Sequence, residues 1–96
     1  MTRENIVEAL RTAAEEASDK YKARLKAIFG SFARAEESET SDIDILVDFN
    51  EGADLFDFVG LSIFLEEKLQ RRVDIVPTDT IKSEVRQAIL KEAIYI

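Results

Sequence analysis

Two aspartates one residue apart, in Ser41-Asp42-Ile43-Asp44, are the residues of this chain best suited to chemistry. On a strand they share a face, with Cα atoms about 7 Å apart. Carboxylates held that close repel, and burying them unpaired is costly. A hard divalent cation ligated by oxygen, Mg²⁺ or alternatively Mn²⁺, resolves the repulsion. A solvated polar strand face is the bland alternative. An EF-hand does not fit, because the loop Gly and its closing Glu are absent. A third carboxylate, Asp74, stands in Arg71-Arg72-Val73-Asp74-Ile75-Val76-Pro77, with Val73 and Ile75 facing away from it. Alone it reads as an ordinary outward Asp. Asp is depleted in strands, however, so two Asp-bearing strands in one small chain point to a shared site, formed if those strands pair. Upstream, Phe29-Gly30-Ser31 joins a strand to a helix start. Gly lets backbone approach a ligand, and free amides at a helix start bind phosphate. The Ser31 hydroxyl can add a hydrogen bond, though Gly-Ser also reads as a strand exit with a Ser N-cap. Arg34 either reaches the same phosphates or is a solvated helix residue. No Gly-Lys-Ser/Thr follows, so this is not a Walker A loop.

Composition limits the chemistry further. The chain has 96 residues, no Cys and no His. A disulfide framework, a thiolate nucleophile and an imidazole base are therefore excluded. Thirteen Lys+Arg against twenty Asp+Glu give a net charge of −7, which speaks against direct nucleic-acid binding. No apolar run reaches the roughly 18–20 residues that span a bilayer. The N-terminus is amphipathic and acidic, without the apolar core of a secretion signal, so a cytoplasmic location is the default.

The elements that must position these residues follow from periodicity. Ile6, Leu10, Ala13, Ala14 and Ala17 mark one face of a helix over 3–18, ended by Ser18-Asp19-Lys20. Residues 24–29 read as a strand with Leu25, Ala27 and Phe29 on one face, and Phe32–Glu36 as one or two helical turns. Residues 37–41 are a polar loop. Residues 42–49 alternate, with Ile43, Ile45, Val47 and Phe49 opposite Asp42, Asp44, Leu46 and Asp48. A helix over 54–70 carries an inner stripe of Leu55, Phe58, Val59, Ser62, Leu65 and Leu69, widened by Phe56, Ile63 and Phe64. That breadth predicts heavy burial, in the core in preference to a dimer or partner contact, the other use that Phe56, Phe58, Ile63 and Phe64 allow. A strand over 72–76 ends at Pro77. A last helix over 80–93 has Ile81, Val85, Ala88, Ile89 and Ala93 at helical spacing. The order αβαβαβα predicts an α+β fold with alternating elements: a small mixed sheet of about three strands or more, with helices packed against it. No linker or repeat divides residues 1–96, which read as one domain: an N-terminal helix (1–20) and a motif-bearing core (24–96).

The combined pattern resembles the minimal nucleotidyltransferases, the smallest branch of the superfamily that includes DNA polymerase β. Their motif, G-S-x-x-R-G followed by S-D-I-D and a hydrophobic run, stands here as Gly30-Ser31-Phe32-Ala33-Arg34-Ala35, then Ser41-Asp42-Ile43-Asp44-Ile45-Leu46-Val47. The stretch around Asp74 resembles the family's third-carboxylate strand, and the ending RQAILKEAIYI its final helix and tail. The resemblance covers about residues 24–96. It implies that Asp42, Asp44 and Asp74 hold two Mg²⁺ ions, and that Asp74 helps orient or deprotonate an acceptor hydroxyl. It implies that Gly30 and Ser31 bind the β- and γ-phosphates of a nucleoside triphosphate, ATP in the family's usual chemistry, with Arg34 beside them. One position departs: Ala35 replaces the family's second Gly. If that position requires positive φ, Ala costs of order 1 kcal/mol. If it is helical, Ala is harmless.

The resemblance also implies a partner. A chain this short leaves no room for template-binding domains, so the acceptor is small or supplied by another protein. Many members pair with a HEPN-domain toxin and act as its antitoxin, transferring AMP to a Tyr of the toxin. An acidic chain suits a basic partner. A non-catalytic module that neutralises its partner by occlusion is the alternative, and a homo-oligomer is left open.

Overall fold

The computed structural model describes residues 2–36 and 41–96. Residues 37–40, most of the predicted polar loop, lie outside the described residues. The chain runs α1 (Arg3–Tyr21), β1 (Ala23–Phe29), α2 (Gly30–Ala33), β2 (Ile43–Phe49), α3 (Leu55–Leu69), β3 (Val73–Pro77), a 3₁₀ turn (Thr78–Thr80), α4 (Ser83–Glu92) and β4 (Ile94–Tyr95). The predicted mixed sheet is present, with four strands in the order β3-β2-β1-β4. The strand β2 is parallel to β3 and antiparallel to β1, and β1 is antiparallel to β4.

Local chemistry sets the element ends. The Thr2 side chain accepts from the Asn5 amide to open α1. The helix runs past the predicted stop to Tyr21, and Lys22 closes it in the left-handed region at φ 54°. Asp54 and Asp57 form a reciprocal capping box at the start of α3, and Gln70 ends that helix at φ 54°. Such a cap satisfies two amides that the first turn leaves open.

The helices α1 and α3 pack on each other and cover one face of the sheet. Ile6, Leu10, Ala13 and Ala17 of α1 meet Leu61, Phe64, Leu65 and Leu69 of α3 over Ile43, Ile45 and Val47 of β2. Gly60 permits the close approach: a Cβ there would stand 2.7 Å from Tyr21 Cε1. The opposite face of the sheet is not covered by α1 or α3; the short α2 packs against β1 and β2 with its Phe32 in the same core as α1, and α4 packs near β1.

Three predictions are corrected by this packing. First, Leu25 and Ala27 do not share a face. The β1–β2 register slips between them, leaving Lys26 as the extra residue of a bulge. Beyond it, Ile28 stands opposite Ile45 and turns into the core, while Phe29 stands opposite Asp44. Second, the apolar surface of α3 is not all core. Leu55, Phe56, Val59 and Ile63 are exposed, because α1 and the sheet cover only one side of the helix. Third, the last helix is shorter than 80–93 and buries none of its residues. Its C-terminal end gives way to β4, which pairs Tyr95 with Ala27 and Ile94 with Ile28.

Candidate active site

The parallel pairing of β2 and β3 sets Ile43 beside Val73, Asp44 beside Asp74 and Ile45 beside Ile75. Directly paired residues on adjacent strands point the same way. The isoleucines and Val73 therefore enter the core, and the two aspartates emerge together on the open face. The heads of the strands are tied by the Ile43 amide donating to the Arg72 carbonyl at 3.0 Å, and by Arg71 Nη2 donating to the Ser41 carbonyl at 2.7 Å.

Electrostatics reflect this crowding. Partial burial pushes the Asp44 carboxyl above the usual aspartate range. The negative charges of Asp74 and Asp42, and a hydrogen bond to Asp74 made by the protonated form, add to the shift; the Arg34 charge opposes it. A group in this position holds a proton more readily than a free aspartate. A hard cation replacing that proton relieves the same repulsion.

Asp42 is placed differently. It precedes β2 rather than lying in it, is exposed, and its Oδ1 is 3.2 Å from Arg72 Nε. Among the described residues, no group of three His, Cys, Asp or Glu is arranged as a ready metal cluster. The ion pair gives the reason: Asp42 faces a guanidinium. Asp44 and Asp74 are juxtaposed, a hard-oxygen pair of the kind that fits a divalent cation, whereas the Asp42 carboxylate is turned to Arg72. That pair is largely solvent-exposed, and such pairs contribute little net stability.

Gly30 adjoins Asp44 directly. It lies at φ +74°, and a Cβ there would overlap the Asp44 carboxylate and stand 3.1 Å from its Cγ. The helix α2 begins at Gly30 itself, earlier than the predicted Phe32, and no side chain caps its first turn. Its first amides therefore lack an intrahelical partner. Ser31 is half-buried in this turn. Arg34 closes the turn, its amide donating to the Gly30 carbonyl at 3.2 Å, while its side chain meets Glu36 Oε2 at 3.2 Å. Ala35 follows at φ 57°, in the left-handed region where Ala is strained.

Sequence reasoning missed two supports of this turn. Arg3, at the start of α1, donates to the Phe32 carbonyl at 2.9 Å and stands 5.2 Å from the centre of the Phe32 ring. The separation of 29 residues leaves no local signal. On the other side, Val85, Ala88 and Ile89 of α4 line a cleft of about 390 Å³ together with Phe29, Gly30 and Arg34. The spacing of these apolar residues was visible, but it reads as a core stripe. Arg72, which faces Asp42, was read only as the first residue of the Asp74 strand and not as part of the site.

Comparison with known proteins agrees with the architecture. The model of the nucleotidyltransferase domain family matches residues 10–96. The protein adenylyltransferase MntA of Thermococcus cleftensis is 38% identical over 96 residues, covering 100% of this chain and 97% of that protein. A Methanocaldococcus jannaschii protein provisionally named a protein adenylyltransferase is 41% identical over 96 residues, covering 99% and 98%. A solved structure provisionally described as a minimal nucleotidyltransferase superposes with a TM-score of 0.83 at 38% identity, covering 100% of this chain and 97% of that one. A toxin–antitoxin crystal structure with AMP-PNP shares the fold at a TM-score of 0.67 and 23% identity, over 99% of this chain and 72% of that one.

Proposed function

The chain belongs to the nucleotidyltransferase domain family and is a nucleotidyltransferase of the protein adenylyltransferase kind; from that premise we propose that it transfers AMP from ATP to a hydroxyl on a partner protein. The adjacency of Asp44 and Asp74 on parallel strands carries this reading, because it supplies the paired carboxylates the reaction needs. The acceptor oxygen attacks the α-phosphorus, a phosphodiester bond forms, and the bond to the β-phosphate oxygen breaks to release pyrophosphate. The hydroxyl proton passes to Asp74 or to solvent beside it.

The residues divide the work by position. Gly30 and Ser31 receive the β- and γ-phosphates through open amides and the Ser31 hydroxyl, with Gly30 keeping the phosphates close to Asp44. Arg34 contributes positive charge at the rim of the same turn. Arg3 fixes the turn through Phe32. Asp42, Asp44 and Asp74 would hold Mg²⁺, two ions in the reading proposed here, with Mn²⁺ as the alternative. Bound there, the cation lowers the pKa of the attacking oxygen and neutralises charge on the leaving group. This suits a chain that has no His for acid–base work.

The partner in this proposal is a HEPN-domain toxin, with this chain as its antitoxin. Two observations support it: a relative named MntA, and fold neighbours described as toxin–antitoxin complexes, one with AMP-PNP. The ATP-dependent reaction and the lack, among the described residues, of a helix long and apolar enough to cross a membrane suit the cytoplasm. The test incubates the protein with α-labelled ATP, Mg²⁺ and the protein encoded beside it. Label on that protein, lost with Asp44→Asn, is the expected result. No label with wild type, or equal label with Asp44→Asn, overturns the proposal.

A further inference from the structure

Four large apolar side chains stand on the outward side of α3. Leu55 is 74% exposed, Phe56 87%, Val59 47% and Ile63 54%. At 100° per residue, these positions fall on the side of the helix opposite Leu61, Leu65 and Phe64, which enter the core. They form a stripe about 12 Å long at 1.5 Å per residue. A solvent-facing stripe of this kind on so small a domain marks an interaction surface.

Charge decides what covers it. Exposed Glu51 and Asp54 lie at the N-terminal end of the stripe, and exposed Glu67 at its C-terminal end. The only cation of α3, Lys68, lies on the other side, 5.4 Å from the centre of the Phe64 ring and beside α1, and Lys22, at the end of α1, is engaged by the Gly52 carbonyl at 3.3 Å and Asp57 Oδ2 at 4.0 Å, leaving Glu51, Asp54 and Glu67 in excess. Two copies of this stripe would bring acid against acid in either orientation: Glu51 to Glu51 if parallel, Glu51 to Glu67 if antiparallel. Like charges set against each other at an interface are costly. An anionic lipid surface meets the same repulsion.

We propose that the outward face of α3 is the docking surface for a partner helix whose apolar side is flanked at both ends by Lys or Arg. This rests on the proposed existence of a protein partner and adds where that partner binds and by what chemistry. The surface lies on the layer of α1 and α3, across the sheet from Asp44 and Asp74. Docking there leaves the open face accessible, so binding and nucleotidyl transfer are separable.

The experiment titrates the protein encoded beside this one into wild type, Phe56→Lys, Ile63→Lys, Glu67→Lys and Asp44→Asn by calorimetry. Because Phe56 is so exposed, its substitution leaves the fold intact, which thermal unfolding verifies. Expected are at least tenfold weaker binding for Phe56→Lys and Ile63→Lys, weakening for Glu67→Lys that disappears at high salt, and unchanged binding for Asp44→Asn. Unchanged affinity in the α3 variants overturns the proposal, as does absence of binding by wild type. So does a wild-type dimer in sedimentation that Phe56→Lys dissociates, or co-sedimentation with phosphatidylglycerol vesicles that Phe56→Lys abolishes. Label transfer read in parallel separates the two ideas. Weak docking by the α3 variants without any label transfer by wild type leaves this surface standing and removes the catalytic reading. Label transfer with unaffected docking does the reverse.

Discussion

Gly30 and Asp44 occupy each other's space: the Asp44 carboxylate fills the position that a Cβ on residue 30 would take. The left-handed backbone at Gly30, φ +74°, would strain any L side chain even without that neighbour. The turn at Gly30 and the acidic strand are thus fitted at a single point, and the residue types on both sides are constrained together.

Gly30→Ala is expected to destabilise the fold by about 2 kcal/mol or more and to abolish AMP transfer, since strain and overlap act together. Gly52→Ala is the matched control. Gly52 also has positive φ, 89°, but its nearest neighbour, Lys22 Nζ, would be 4.0 Å from the new Cβ. It should cost about 1 kcal/mol and leave transfer intact. Urea denaturation and the label-transfer assay on both variants check the pair.

The raised Asp44 pKa makes a signed prediction for metal-free protein. The folded state holds a proton that the unfolded state releases at lower pH, so the fold loses stability as pH rises through the ordinary aspartate range toward the raised value. In chelator, Asp44→Asn should be more stable than wild type at pH 7. The two should converge below a pH of about 3, where the carboxyl is protonated in both states. Adding Mg²⁺ should raise the wild-type melting temperature with concentration and barely move the variant. A pH-independent difference between the two melting curves would refute this account.

Arg72 is expected to compete with a cation for Asp42. The exposed pair at 3.2 Å should contribute little to folding, so Arg72→Ala is expected to change stability by less than about 1 kcal/mol. Freed from the guanidinium, Asp42 should bind Mg²⁺ or Mn²⁺ several-fold more tightly. Calorimetric titration of Mn²⁺ into both proteins measures it, and weaker binding by the variant would show that Arg72 assists the site instead.

Ala35 resolves a question that the sequence left in two parts. Its φ of 57° places it in the left-handed region, so the departure from the family's Gly carries strain. Ala35→Gly should stabilise the protein by about 0.5–1 kcal/mol after the greater freedom of Gly in the unfolded chain is subtracted. A rise of a few degrees in melting temperature is the readout for a domain of this size.

The helices, their faces on the α1 side, and the identity of the acidic residues were legible in the sequence because they depend on local periodicity and chemistry. Ile6, Leu10, Ala13 and Ala17 are buried as their spacing indicates. The alternation over 42–49 correctly separates Ile43, Ile45 and Val47 from Asp44 and Asp48. Caps such as Asp54 act over three residues, and Gly30 stands out wherever a turn must approach a ligand. What the sequence determined by itself was therefore the inventory of the candidate site.

The tertiary structure decided the geometry. That Asp44 meets Asp74 depends on a parallel register between strands some thirty residues apart, which no period reveals. The bulge at Lys26 reverses the expected faces of β1 and brings Phe29, with Gly30 after it, to the Asp44 side. Apolar spacing in α3 and α4 was read as core, yet Phe56 is exposed and Val85 lines the cleft beside Gly30. The physical reason is common to all three: periodicity states which side chains favour leaving water, but only the packed arrangement of distant segments determines which surfaces remain to be covered.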